Sequence, residues 1–195
     1  MKGCRPLSDK EVEGIMDSFG GQYAARDKAI FALGRYTGER ISAILKVKVG
    51  DIVQDGRILD HVSYQKKNRK GKTEGRIVAI HPKAKAALMT WINLLAADNI
   101  LTADDYVFQS RNGANRPLSR IQYHKVFKEA VQANQITGKV ATHSMRKTFA
   151  NQVYEKLDHD IFKTQKAMGH KNINSTAQYL SFMEEDIEAA IKEMT

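Results

Sequence analysis

Two short stretches rich in Ile and Val, residues 57–65 (RILDHVSYQ) and 75–80 (GRIVAI), have the character of strands. Between them lie nine polar residues, KKNRKGKTE, with five positive charges against one negative. The pattern predicts one β-hairpin with a strongly basic tip. On either side of it the apolar residues recur at helical spacing. The expected fold class is therefore mostly α with a small antiparallel β-sheet (α+β), built as a single domain over residues 1–195.

The helical segments carry their own start and stop signals. Ser8-Asp9-Lys10-Glu11 is a capping box, followed by Val12, Ile15, Met16 and Phe19 at helical spacing and then Gly20-Gly21. A second helix is predicted over about 22–36, with Ala25, Ala29, Ile30, Leu33 and Tyr36 on its apolar side. Further helices fit 82–97, where Pro82 stands in the first turn, then 119–134, 144–157, 161–168 and 173–182. The last stretch, 184–194, reads as a short acidic amphipathic helix with Ile187, Ala190, Ile191 and Met194 on one side.

Composition excludes several classes of protein. No apolar run approaches the ~20 residues of a membrane span, and the N-terminus lacks the apolar centre of a signal peptide. One cysteine, Cys4, allows neither an internal disulfide nor a cysteine-built zinc site. The expected location is cytoplasmic, in association with the nucleoid. Lys and Arg number 31 against 22 Asp and Glu, a formal charge of +9, which favours a polyanionic partner. That charge is uneven. Residues 111–147 hold eight basic side chains and one acid, whereas 184–195 hold five acids and one Lys. A polyanion-facing surface and a separate protein-facing end follow from this split.

A small set of polar residues stands at helix starts and turns. Arg40 follows Thr37-Gly38, His143 and Arg146 share one helical face, His170 follows Gly169, and Tyr179 comes nine residues later. Singly, each has a structural explanation as a cap, a turn residue or a half-buried aromatic. Together they suit phosphodiester chemistry. Two guanidinium groups can hold the non-bridging oxygens of a phosphate and neutralise its transition state. A His and a Lys can move protons at the bridging oxygens, and a tyrosine hydroxyl can attack phosphorus to form a covalent intermediate. Asp104-Asp105 is an isolated acidic pair, so the residues provide no carboxylate cluster for a metal, and the set suggests metal-free strand transfer without cofactors.

Three boxes make the pattern specific. Thr37-Gly38-Glu39-Arg40-Ile41-Ser42 resembles the T-G-x-R-[IV]-S of the tyrosine recombinase (phage integrase) family. Thr142-His143-Ser144-Met145-Arg146-Lys147-Thr148-Phe149-Ala150 is similar to its H-x-L-R-x-[TS]-[FA]-A. Met168-Gly169-His170-Lys171 with Ser175-Thr176-Ala177-Gln178-Tyr179 is similar to its L-G-H and [ST]-T-x-x-Y. The resemblance covers about residues 5–190, with active-site boxes at 37–45, 66–76, 142–150 and 168–179. Ala43 stands where the family usually has Glu, and Met145 replaces its Leu. Nothing here corresponds to the N-terminal DNA-gripping (core-binding) domain of the family, so the expectation is a catalytic-domain fragment or a minimal member.

The resemblance implies roles. Arg40 and Arg146 would clamp the phosphate, His143 would transfer a proton, His170 would hydrogen-bond the scissile phosphate, and Tyr179 would become linked to a DNA 3′ end. The family's catalytic Lys lies on the hairpin, and both Lys66 and Lys72 are candidates. DNA contacts are expected from Lys67, Arg69, Lys70, Arg76, Arg111, Arg116, Arg120 and Lys147. The implied function is site-specific recombination on double-stranded DNA, with self-association into a tetrameric synapse in which the helix at 184–194 can dock in trans. A catalytically quiet DNA-binding relative and a type IB topoisomerase-like enzyme are the alternatives. His61, His81, His124 and His159 have no partner at metal spacing and read as surface or core residues.

Overall fold

Ser8 starts the first helix as its sequence requires. Its hydroxyl accepts the Glu11 amide at 3.3 Å, and the Glu11 carboxylate accepts the Ser8 amide at 2.8 Å, which closes the capping box. The computed structural model describes residues 3–68, 75–97, 100–111, 115–180 and 191–192. Helix α1 spans Asp9–Ser18, α2 Ala24–Thr37 and the short α3 Ile41–Ile44. Then come β1 (Val53–Gln54), β2 (Arg57–Ile58), β3 (His61–Tyr64), β4 (Arg76–Ala79), α4 (Pro82–Ala97), α5 (Arg120–Ala133), α6 (Thr142–Lys156), α7 (Ile161–Met168) and α8 (Ile173–Ala177). No helix among the described residues is long and apolar enough to cross a membrane.

The chain is mostly helical with small antiparallel sheets, and these differ from the single hairpin expected. β1 pairs with β2 and β3 with β4, as two separate two-stranded sheets. The run at 57–65 is divided because Asp55 and Gly56 both adopt positive φ, 49° and 70°. An Asp-Gly pair in that geometry closes a tight hairpin, and it draws Arg57–Ile58 back onto Val53–Gln54. The remainder pairs as expected, His61 opposite Ala79 through Tyr64 opposite Arg76.

Contacts group the residues into two compact units, Met1–Phe149 and Ala150–Thr195. In the first, buried apolar side chains come from each helix, from β2 and β3 and from the loops between them, among them Ile15, Ile30, Leu33, Ile44, Val62, Leu88 and Phe108. Phe31 lies at the centre, with ring centroids 5.9 Å from Phe19 and 6.1 Å from Phe127. The indole of Trp91 donates to the Val107 carbonyl at 2.7 Å, so the largest side chain of α4 is buried with its polar atom satisfied. Met145 is 2 % exposed and belongs to the same core.

The second unit holds the end of α6 with α7 and α8. Asp160 caps α7 by accepting the amides of Phe162 and Lys163, each at 2.9 Å, and Asn172 caps α8 by accepting that of Asn174. The expected acidic helix at 184–194 lies outside the described residues except for Ile191 and Lys192, which are helical and exposed.

Candidate active site

α2 ends where the first box begins. Gly38 caps it in the left-handed conformation, with φ 61° and its amide bonded to the Gly34 carbonyl at 3.1 Å. The chain then reverses, so that Arg40 precedes α3 with extended backbone. The guanidinium of Arg146, from the second turn of α6, is 2 % exposed and donates to the Gly38 carbonyl. Both arginine boxes are thereby held at one turn.

A cleft of about 480 Å³ opens beside them, lined by Arg40, Ile41, Ser42, Arg120, Ile121, His124, Thr142 and His143. His143 keeps an accessible edge, yet enough of its ring is withdrawn from water that burial is the main reason its pKa lies below the usual imidazole value. The charges of Arg146, Arg40, Arg120 and Lys147 lower it further. The first unit thus offers a strongly cationic cleft with a neutral imidazole at its edge. Such a site can hold an anion and accept a proton.

His124, which has no partner at metal spacing and reads from the sequence as a surface or core residue, lines the cleft. It is one helical turn beyond Arg120 on α5, and both side chains reach the cleft wall. The spacing of four is visible in the sequence, but the apposition of that helix face to Arg40 is a tertiary fact.

In the second unit, His170 and Tyr179 lie together. Their ring centroids are 5.2 Å apart at 47°. His170 is nearly buried, and its Nδ1 shares a hydrogen bond of 2.9 Å with the hydroxyl of Thr176. Tyr179 was expected inside a helix over 173–182, but α8 ends at Ala177 and Tyr179 occupies the turn after it, its amide bonded to the Thr176 carbonyl at 2.9 Å.

The remaining basic candidates separate. Lys66 is exposed on a single 3₁₀ turn, Lys66–Asn68, just past β3. Lys67 is exposed beside it and contributes to lowering the Asp104 pKa, for which the hydrogen bond from Lys48 is the main cause. Arg69, Lys70 and Lys72 lie outside the described residues. Lys147 is half-buried and adds to the field at His143. Arg116 is exposed next to the bridge between Gln109 and Pro117. Arg111 lines a different cleft, of about 580 Å³, with Tyr23, Arg26, Asp27, Lys125 and Glu129. Arg76, expected on the DNA face, points inward instead: its side chain is 9 % exposed and pairs with Glu39 at 3.1 Å. Ala43, which stands where the resembled family usually has Glu, is 2 % exposed in the core.

The family described as "Phage integrase family" matches residues 5–185. The chain belongs to that family. This phage integrase family member is 28% identical over 167 residues to the "Probable integrase/recombinase YoeC" of Bacillus subtilis, covering 86% of the chain and 83% of YoeC. It is also 28% identical over 180 residues to the "Tyrosine recombinase XerD" of Halalkalibacterium halodurans, covering 90% of the chain and 56% of XerD. Among solved structures, the XerH site-specific recombinase bound to palindromic difH in a post-cleavage complex gives a TM-score of 0.75 at 22% identity, over 96% of this chain and 52% of that one. XerA recombinase gives 0.75 at 22% identity, over 98% of this chain and 66% of that one. The likeness to these structures is one of fold. The phage integrase family member spans about half the length of the XerD and XerH proteins that it matches.

Proposed function

We propose that this chain is a site-specific DNA recombinase that breaks and rejoins DNA strands through a phosphotyrosyl intermediate on Tyr179. The observation that carries the reading is the cationic cleft lined by Arg40, Arg120 and His143, beside the turn to which the Arg146 guanidinium is fastened, with His143 held neutral by burial and by these charges. A scissile phosphate placed there has both non-bridging oxygens matched by guanidinium donors. The oxygen of Tyr179 attacks phosphorus, its proton passing to His143. The new bond joins Tyr179 to the 3′ phosphate, and the bond from phosphorus to the 5′ oxygen breaks. Lys66 or Lys72 gives that oxygen its proton, and His170 donates a hydrogen bond to the phosphate. Attack by a 5′ hydroxyl of another strand reverses the step and reseals the DNA.

The phosphotyrosyl link conserves the energy of the diester, so the reaction requires no ATP, and the guanidinium groups meet the charge demand that a metal would otherwise meet. The partner is double-stranded DNA, with Lys67, Arg69, Lys70, Arg116, Arg120 and Lys147 along its backbone. Exchange between two duplexes requires several copies of the chain, four in a complete synapse. The reading requires that Tyr179, from this chain or from a second copy, meet the phosphate that the arginines hold.

Covalent capture tests it. The chain is incubated with a library of nicked duplexes in the presence of EDTA, and protein–DNA adducts are isolated under denaturing conditions. An adduct that disappears in Tyr179→Phe is the expected result. The absence of any adduct, its survival in Tyr179→Phe, or a strict need for Mg²⁺ overturns the reading.

A further inference from the structure

Two strands and one turn are stitched together behind the cleft. Tyr64 on β3 and Arg76 on β4 are cross-strand partners. The Tyr64 hydroxyl shares a hydrogen bond of 3.0 Å with Thr37 Oγ1. Arg76 donates to Glu39 Oε2 at 3.1 Å and to the Thr37 carbonyl at 3.2 Å. The other carboxylate oxygen, Glu39 Oε1, accepts the backbone amide of Arg40 at 2.9 Å. Glu39 is 3 % exposed. One buried carboxylate therefore grips a hairpin strand with one oxygen and the peptide of Arg40 with the other.

A buried ion pair is a poor way to add stability, because the desolvation of two charges offsets most of their attraction. What it does provide is direction. Charge-assisted hydrogen bonds fix both distance and angle, and catalysis is sensitive to both, a misplacement of 1 Å costing about 100-fold. The strands joined here flank the segment with the candidate proton donors, Lys66 and Lys72. The turn joined here presents the phosphate clamp.

We propose that Glu39 is a positioning residue for strand cleavage, holding β3 and β4 and the Arg40 turn at one fixed spacing so that the proton donor that follows β3 in the chain and the phosphate clamp act on the same diester. The inference rests on the proposed function, in which a hairpin lysine protonates the departing 5′ oxygen. Arg76 is the strand side of the same device.

The test uses the full chain and a DNA site recovered by covalent capture, made once with the ordinary linkage and once with sulfur as the bridging 5′ atom. A thiolate leaves without a proton, so the sulfur linkage reports on every part of the site except the proton donor. Glu39→Gln is expected to slow single-turnover cleavage of the ordinary linkage by about 10–100-fold, with DNA affinity within about twofold of the parent. On the sulfur linkage most of that loss disappears, whereas Arg40→Ala is slow on both. Glu39→Leu combined with Arg76→Leu removes both charges and leaves no lone one, so its melting temperature stays near that of the parent while ordinary cleavage remains slow. Glu39→Asp keeps the buried charge, shortens its reach, and gives the same readout if the other variants unfold. Cleavage of the ordinary linkage at the parent rate by a folded Glu39 variant overturns the proposal, and so does equal slowing on both linkages. A parent chain that forms no adduct on either linkage overturns the proposed function itself.

Discussion

Arg146 donates a hydrogen bond to the carbonyl of Gly38, so the arginine of the second box is braced against the turn that presents the arginine of the first. The carbonyl is aimed correctly because Gly38 is left-handed, a conformation that side chains with a Cβ rarely adopt. The clamp is thus a property of the backbone as much as of its two guanidinium groups.

Gly38→Ala should damage both the fold and the activity. A Cβ at this position would stand 2.2 Å from Cδ1 of Phe149 and would have to keep a φ of 61°. The backbone strain costs about 1 kcal/mol and the overpacking about 1–3 kcal/mol more. Denaturant melts should show a loss of at least about 2 kcal/mol, roughly 4–8 °C in melting temperature. Adding Phe149→Ala should recover the packing part of the loss in the strained variant and leave the backbone part. A Gly38→Ala chain as stable as the parent would contradict this account of the turn.

His143 should titrate below the ordinary imidazole range, and its neighbours should set how far below. Burial and four cations all disfavour its charged form. Removing one cation in Arg120→Gln weakens that opposition, so the pKa should rise. Histidine NMR titrations of the two proteins would show it. If His143 is the proton acceptor, cleavage should be flat near neutral pH and fall in acid, and in Arg120→Gln the fall should begin at higher pH. A His143 titration unmoved by Arg120→Gln would show that its field comes from elsewhere.

Glu11 should make the fold acid-sensitive in a defined window. The hydrogen bonds from Arg5, at 2.5 and 2.9 Å, hold its carboxyl at about 2, against 4.5 for a free Glu. A depressed carboxyl pKa contributes stability above the unfolded value, and the contribution is lost as pH falls through the folded one. The melting temperature should therefore decline between about pH 4.5 and pH 2. Because both partners are partly exposed, the loss should be on the order of 1 kcal/mol, or about 2–4 °C. Glu11→Gln should be less stable at neutral pH and show a smaller decline. A decline of equal size in Glu11→Gln would place the sensitivity in other groups.

Local chemistry was readable in the sequence, and long-range pairing was not. The capping box of Ser8 and Glu11 acts between residues three apart, and the helices over 82–97 and 119–134 follow from apolar spacing within one segment. The Asp55-Gly56 turn is also a local signal, standing immediately before the apolar run at 57–65 and pairing its first two residues with Val53–Gln54. Glu39 and Arg76 are 37 residues apart, and nothing near either one distinguishes a buried pair from two solvated charges. The same holds for His124, whose helix face borders Arg40 only after the chain has folded. Residue types and order pointed to the chemistry. Which cation faces the cleft and which is consumed in holding it open required the tertiary structure.

The brace on Gly38 joins residues 108 positions apart, and this has a consequence for a chain made from its N-terminus onward. Arg40 leaves the ribosome before Arg146, on a turn whose carbonyl still has no guanidinium to receive. The phosphate grip comes into being only when residue 146 has followed and α6 has wound. A nascent chain that stops short of residue 146 would carry the first arginine without the rigid frame that the proposed strand cleavage requires, so that activity would be gained only after α6 is made.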